Sequence, residues 1–217
     1  MSTVGITLVT GLLMGTQALA GGPSRSFSVT ITNLTRGQSF TPILVASHKA
    51  AVKLFTPGNP ASPELAALAE GGNTVPLAML LMGMGDVLDV ADSGGLLLPG
   101  ASVTVTVETK GKFNHVSVAS MLIPTNDAFF ALNGIKGASG KKTVVVMASA
   151  WDAGSEPNDE LCANIPGPVC DGVGGSPGAG GEGFVHIHAG IHGIGDLAGA
   201  ERDWRNPVAR ITISRTR

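Results

Sequence analysis

Alternation of apolar and polar side chains is the dominant pattern along the chain. The stretch SFSVTITNL, residues 26–34, alternates Phe27, Val29 and Ile31 with serine and threonine, as a half-buried strand does. The stretch ASVTVTVET, residues 101–109, repeats the pattern. Further strands are predicted at residues 42–47, 115–122, 143–150, 183–189 and 207–214, with a short connecting strand at 129–132. Seven or eight short strands separated by glycine and proline predict an all-β fold, an antiparallel β-sandwich.

Two helical segments interrupt the strands. Ser62 is a suitable N-cap, Pro63 occupies the first helical position, and the stretch ELAALAE ends at a Gly-Gly pair, residues 71–72. The next run, VPLAMLLMGMGDVLDVA at residues 75–91, is apolar and rich in methionine, and it predicts a helix over one end of the sheets. Methionines in such a run usually fill a core, and a cofactor groove is the alternative. One or two short helices are therefore expected at one end of the sandwich.

Length and charge limit the possible organisation and partners. A chain of 217 residues suits one well-buried domain, and no linker or repeat divides it. The net charge of −2 gives no electrostatic attraction to nucleic acid or anionic lipid. Charged residues make up only 14% of the chain, which fits a compact extracellular β domain rather than a disordered one.

The first twenty residues predict a signal peptide. They contain an uncharged apolar run that ends in Ala18-Leu19-Ala20, a typical cleavage sequence. No lysine or arginine precedes the run, so a misplaced start codon or an atypical export signal are alternatives. A transmembrane anchor is disfavoured because the run is short and broken by glycine and threonine. The predicted domains are a signal peptide at 1–20 and a β-sandwich at 21–217, in a secreted, periplasmic or cell-surface protein.

Two cysteines indicate the same compartment. Cys162 and Cys170 lie eight residues apart and are the only cysteines of the chain. This spacing favours a small disulfide loop over a metal or redox motif, as in exported proteins. Two separate thiols are the alternative.

Two acidic loops follow predicted strands and form the first candidate site. Asp127 follows the strand at 115–122, and Asp152 and Glu156 follow the strand at 143–150. If 129–132 is a strand between them, the outer two run in the same direction, and their loops meet at one end. Carboxylates on such loops suit Ca²⁺, which takes six to eight oxygen ligands. A solvated acidic loop without an ion is the alternative.

Three stretches resemble a known family. SMLIPTNDAF (120–129), WDAGSE (151–156) and VARITI (208–213) are similar to the spondin N-terminal domain, and the resemblance spans roughly residues 27–213. This domain occurs in matrix proteins and as a single-domain secreted protein of bacteria, and the chain resembles the bacterial form. The resemblance implies a calcium-binding β-sandwich whose ion is held by the two acidic loops, here through Asp127, Asp152 and Glu156. It also implies a secreted module for adhesion or binding at the cell surface or in the extracellular matrix.

The stretch GEGFVHIHAGIHGIGDL, residues 181–197, forms a second candidate site. On a strand, His186 and His188 point to one face while Val185 and Ile187 point to the core. His192 follows a flexible Ala-Gly pair and can fold back as a third ligand. Three imidazoles suit Cu²⁺ or Zn²⁺.

Two carboxylates near the histidines could take part in the same metal site, and a purely structural role of the histidines is the alternative. Glu182 or Asp196 can supply a further ligand or accept a hydrogen bond from an imidazole N–H group. The alternative is that the histidines bond to the backbone of a glycine-rich turn, or stack on Trp204 or Phe184. The second functional hypothesis is thus a periplasmic or surface metalloprotein that binds copper or zinc.

No catalytic pattern appears in the sequence. A G-x-S-x-G motif is absent, both cysteines are expected to be oxidised, and no glycine-rich loop carries the lysine of a phosphate site. The sequence therefore predicts a non-enzymatic protein without nucleic-acid partners or a transmembrane anchor. Its expected partner is a protein, a glycan or a lipid headgroup outside the cytoplasm.

Overall fold

The computed structural model describes residues 25–175 and 180–216, and within them eleven strands form two antiparallel sheets. The predicted all-β sandwich is confirmed, with several additional short strands. The predicted signal peptide lies outside the described residues. The smaller sheet has the order β5-β1-β11-β8, built from Ser102–Thr109, Arg25–Asn33, Ala209–Thr216 and Val144–Ala148.

The larger sheet has seven strands. Its order is β10-β9-β7-β6-β3-β4, formed by His186–Ile187, Ala150–Asp152, Ala128–Lys136, His115–Ile123, Leu44–His48 and Val87–Asp92. The short strand β2, Ser39–Phe40, pairs with the end of β6. Strands β6 and β9 both pair antiparallel with β7 and therefore run in the same direction.

Two apolar layers hold the sandwich together. Between the sheets, Phe27, Val29 and Ile31 of β1 point inward, as their alternation predicts, and pack in one cluster with Val118 and Phe130 of the larger sheet. The other face of the larger sheet is covered by two helices, Pro63–Gly71 and Val75–Met82, and the cluster there contains Leu44, Ala119, Phe129, Leu65, Leu68, Leu77 and Leu81. Because β6 is buried on both faces, its apolar run is nearly continuous rather than alternating.

The first helix agrees with its sequence signals. Helix α1 spans Pro63–Gly71; Ser62 Oγ accepts a hydrogen bond from the Leu65 N–H group, and the left-handed Gly72 (φ 64°) ends the helix. The second prediction was too long: α2 covers only Val75–Met82. The remainder of the 75–91 run leaves the helix at a glycine-rich turn and pairs with β3 as strand β4. Helix α3 is a single short turn, Gly199–Arg202.

The predicted strand at 143–150 is divided between the two sheets. Strand β8 belongs to the smaller sheet, and β9 crosses to the larger one directly after Ser149. At the crossing, the Asn206 side chain accepts a hydrogen bond from the Ala150 N–H group (2.7 Å). This crossing places the end of β9 beside β7, which positions the acidic loops.

The loop after β9 contains the predicted disulfide. Cys162 and Cys170 are bonded to each other, next to a 3₁₀ turn at Cys162–Asn164. No helix in the described ranges has the length and apolar character that crossing a membrane requires.

Candidate metal centre

Two buried aspartates meet at one end of the larger sheet. Asp127 ends the turn between β6 and β7, and Asp152 is the last residue of β9, paired with Ala128 across the strands. Since β6 and β9 run in the same direction on either side of β7, the segments that follow them emerge at the same edge. The topology therefore brings together the two acidic loops, as the sequence predicts.

Asp127 is fully buried, and among the described residues only one of its two carboxylate oxygens accepts hydrogen bonds. Its Oδ2 accepts hydrogen bonds from the N–H groups of Ser155 (2.8 Å) and Glu156 (3.1 Å). Its Oδ1 is also buried and has no hydrogen-bond partner among the described residues. Burial, and next the negative charge of Asp152, raise the pKa of Asp127 to about 7. The carboxylate is thus held in place by the second loop while one oxygen stays available to a ligand.

Asp152 is also fully buried. Its Oδ1 accepts the Gly154 N–H group (2.7 Å), and its Oδ2 accepts the Asn158 side-chain amide (2.7 Å). Burial raises the pKa of Asp152 despite these hydrogen bonds. Two ionised carboxylates in one buried site are unfavourable unless a cation compensates them. Glu156 is buried in the loop that follows β9.

His186 faces this pair of loops from the neighbouring strand. Strand β10 pairs antiparallel with β9, with His186 opposite Asp152. Its Nε2 lies 3.6 Å from Asp152 Oδ1 and 3.6 Å from Glu182 Oε2. One ligand atom from each of these three residues lies within 4.8 Å of the others, a grouping able to hold a metal ion.

The ring of His186 is oriented by its own strand. Its Nδ1 lies 3.1 Å from the Ile187 carbonyl oxygen, so Nδ1 donates a proton there and Nε2 is directed to the carboxylates. Burial lowers the pKa of His186, but this hydrogen bond and the charges of Asp152 and Glu182 outweigh it and raise the pKa. A positive charge at this position, from a proton or a metal ion, is therefore favoured.

His188 has a different environment. Its side chain is 2% exposed, and its Nε2 lies 3.8 Å from Asp152 Oδ2. Its Nδ1 accepts the Gly190 N–H group (2.9 Å), and the ring packs against Trp204 at 5.0 Å between centroids. Burial lowers its pKa to about 4. The structural alternative of turn bonding and stacking thus describes His188.

His192 and Asp196 lie away from this group. The His192 residue is exposed, and its backbone N–H group donates to Glu160 Oε1 (2.6 Å). Asp196 Oδ2 accepts the Cys162 N–H group (2.8 Å). Ile187 is 52% exposed, contrary to the expectation that it points to the core, because β10 is an edge strand only two residues long. Val185 is buried as expected.

Sequence reasoning missed two residues that shape the segment. Glu160 is buried with a φ of 57°, and its carboxylate accepts three consecutive backbone N–H groups, those of His192, Gly193 and Ile194. Gly154 has a φ of 66°, and a Cβ atom there would lie 2.3 Å from the Phe184 carbonyl oxygen. Only glycine therefore allows the histidine segment to approach Asp152. The glycine-rich sequence at 190–195 is the one signal that pointed to a turn of this kind.

Comparison with known protein families identifies the fold family of the chain. The Spondin_N family model matches residues 29–158, more than half of the chain. The matched range includes both acidic loops and ends before the histidine segment. No curated protein matches the chain.

Proposed function

The chain belongs to the spondin N-terminal domain family, and from this premise we propose that it is an extracellular binding module whose acidic loops are ordered by calcium. The family points to binding outside the cell, and the Cys162–Cys170 disulfide is consistent with secretion. Adhesion at a cell surface or in a matrix is the role that this combination supports.

The observation that carries the calcium proposal is the burial of Asp127 and Asp152 beside each other. Both have raised pKa values, and Asp127 Oδ1 is buried with no hydrogen-bond partner in the part of the chain that the structure describes. Carboxylate oxygens are the ligands that Ca²⁺ prefers, at about 2.3–2.6 Å. Asp127, Asp152 and Glu156 would supply oxygens to the ion, and water would complete its coordination.

A calcium ion here would connect the loop after β6 with the loop after β9. Apolar side chains close to this edge are solvent-exposed: Phe184, whose ring is tilted against that of His186, is 43% exposed and Ile187 is 52% exposed. Exposed aromatic and aliphatic side chains beside an ordered loop are suited to contact a partner. We therefore place the surface for a protein, glycan or lipid-headgroup partner at this end of the sandwich.

The calcium proposal is tested by thermal unfolding of tag-free protein in chelator and in calcium. At a calcium concentration 100 times the dissociation constant, the free energy of unfolding should increase by about 2.7 kcal/mol. Asp152→Asn should abolish this increase. Asp86→Asn changes an exposed carboxylate that pairs with Lys49 and should leave the increase intact. An unchanged melting temperature of the wild type in millimolar calcium would refute the proposal.

A second candidate function is the binding of copper or zinc. The grouping of Asp152, Glu182 and His186 favours it, because an imidazole nitrogen suits these ions better than calcium. In this function, His186 replaces the three-histidine set that the sequence suggests.

A further inference from the structure

The imidazole rings of His186 and His188 make different hydrogen bonds, and these give the two residues different roles. In His186, Nδ1 donates to the Ile187 carbonyl oxygen, which leaves the Nε2 lone pair free to bind a cation. A metal-binding histidine typically donates its other ring N–H group to an oxygen in this way, which fixes the ring. His186 is therefore prepared to be a ligand through Nε2.

The spacing around His186 fits a metal ion better than direct hydrogen bonds. Nε2 lies 3.6 Å from Asp152 Oδ1 and 3.6 Å from Glu182 Oε2, both beyond the usual hydrogen-bond length. Two ligands bonded at 2.0–2.2 Å to a tetrahedral Zn²⁺ lie about 3.4 Å apart. The Nε2 atom of His186 is buried and has no hydrogen-bond partner among the described residues, whereas the Glu182 side chain is 40% exposed and forms the solvent side of the group.

His188 is excluded as a ligand by its hydrogen bond. Its Nδ1 accepts the Gly190 N–H group and is therefore unprotonated, so the neutral ring carries its proton on Nε2. A protonated Nε2 offers no lone pair to a metal. This N–H group is buried, lies 3.8 Å from Asp152 Oδ2 and has no hydrogen-bond partner among the residues described. Its positive end attracts the carboxylate, so His188 is a positioning residue for Asp152.

Asp152 is a ligand in both proposed ion sites. Each of its oxygens already accepts one hydrogen bond, from Gly154 at Oδ1 and from Asn158 at Oδ2. The remaining acceptor site of Oδ2 is close to the His188 N–H group, so Oδ1 is the oxygen left for a cation. A zinc-class ion bound with His186 would use Oδ1. A calcium ion held by Asp127 and the same carboxylate would lie close to it, so the two divalent charges would repel each other.

We propose that a zinc-class divalent ion binds Asp152, Glu182 and His186, with His188 positioning Asp152, and that this ion and calcium exclude each other. The exclusion rests on the proposed calcium function, whereas the assignment of the zinc ligands stands without it.

Zinc titration calorimetry of the metal-free, tag-free, disulfide-bonded protein tests the ligand assignment. His186→Ala and Glu182→Gln should each weaken zinc binding by more than about tenfold, since even residues behind the ligands contribute 10–100-fold. His188→Ala should weaken it by about tenfold, and His188→Gln, which keeps an N–H donor, should restore affinity. His192→Ala is the matched control from the same segment and should bind zinc as the wild type does.

Two results of the titrations would overturn the assignment: wild-type affinity in both His186→Ala and Glu182→Gln, or a loss in His188→Gln as large as that in His186→Ala. Glu182 is exposed, so Glu182→Gln keeps the test valid if His186→Ala fails to fold.

Native mass spectrometry with both ions present tests the exclusion. One divalent ion per chain is expected, and increasing zinc should displace calcium. Chains carrying one zinc and one calcium ion together would overturn the exclusion. Zinc binding without any calcium binding would refute the calcium function and the exclusion, while the zinc assignment would stand. Calcium binding without any zinc binding would refute the zinc assignment and the exclusion, while the calcium function would stand.

Discussion

The two ends of the larger sheet place histidines in opposite electrostatic surroundings. Strands β6 and β7 extend from one end to the other. At one end, His48 and His115 lie near the cationic side chains of Lys53 and Lys136. At the other end, His186 lies near two carboxylates.

The hydrogen bonds of His48 show what this difference means. Its Nδ1 lies 2.8 Å from the Lys49 carbonyl oxygen and its Nε2 lies 2.8 Å from Ser117 Oγ, so both ring nitrogens are satisfied. Burial lowers the pKa of His48, and the charges of His115 and Lys53 lower it further. A buried histidine alone is therefore no sign of a metal site. A free ring nitrogen directed at carboxylates, as in His186, is the informative feature.

The largest expected difference between the two ends of the larger sheet is the loss of folding stability when Asp127 ionises. Its raised pKa, about 7 against an ordinary 3.8, disfavours the folded state once the unfolded carboxylate ionises. The cost begins above pH 3.8, grows up to about pH 7 and is absent in strong acid. In chelator, Asp127→Asn should therefore be more stable than the wild type at neutral pH, by up to roughly 4 kcal/mol. Chemical unfolding at pH 4 and pH 7 measures this difference.

The pH dependence of the wild type alone does not isolate Asp127, because a buried histidine changes the folding stability in the opposite direction as the pH rises. The difference between the variant and the wild type removes this contribution. The lowered pKa of His188 makes wild-type stability rise as the pH passes from about 4 to 6.5. Calcium should stabilise only the wild type and so reduce the difference between the two proteins at pH 7, by about 2.7 kcal/mol at a concentration 100 times the dissociation constant. A constant difference between the two proteins from pH 4 to pH 7 would contradict the ionisation argument.

Replacing one glycine at each end of the larger sheet should change the folding stability by a smaller amount. Gly154 and Gly140 have similar positive φ values, 66° and 62°, but only Gly154 is close to another segment, the Phe184 backbone. Gly140→Ala should cost about 1 kcal/mol for its backbone conformation alone. Gly154→Ala should cost more and should also weaken zinc binding, because the histidine segment must move away from Asp152. Equal losses of stability and unchanged zinc affinity would show that this close approach is unimportant.

The sequence was sufficient for the parts of the fold with one buried face. Strands β1 and β5 alternate because one side faces the core and the other faces solvent, and their bounds were predicted within a residue or two. The meeting of Asp127 and Asp152 was also predictable, because both follow strands that lie on either side of β7. Local pattern and a simple topological rule were enough there.

The position of His186 was beyond such reasoning. Strand β10 has only two residues, and its register with β9 depends on Gly154 and on contacts between segments distant in sequence. The tautomers that distinguish His186 from His188 depend on backbone groups of neighbouring residues, which residue spacing does not reveal. Likewise, the crossing of the chain after β8 was hidden inside one continuous apolar run, residues 143–150.

The smallest expected effect concerns the cationic end. Lys53→Gln removes one of the charges that lower the pKa of His48, so this pKa should rise. It should stay below 6.5, because burial is the largest cause of the lowered value and the substitution does not change it. An NMR titration of the His48 ring signals measures the change, with Lys141→Gln as a distant control. If the His48 pKa does not change, its charged neighbours are screened by solvent, and the contrast between the ends rests on hydrogen bonding and burial alone.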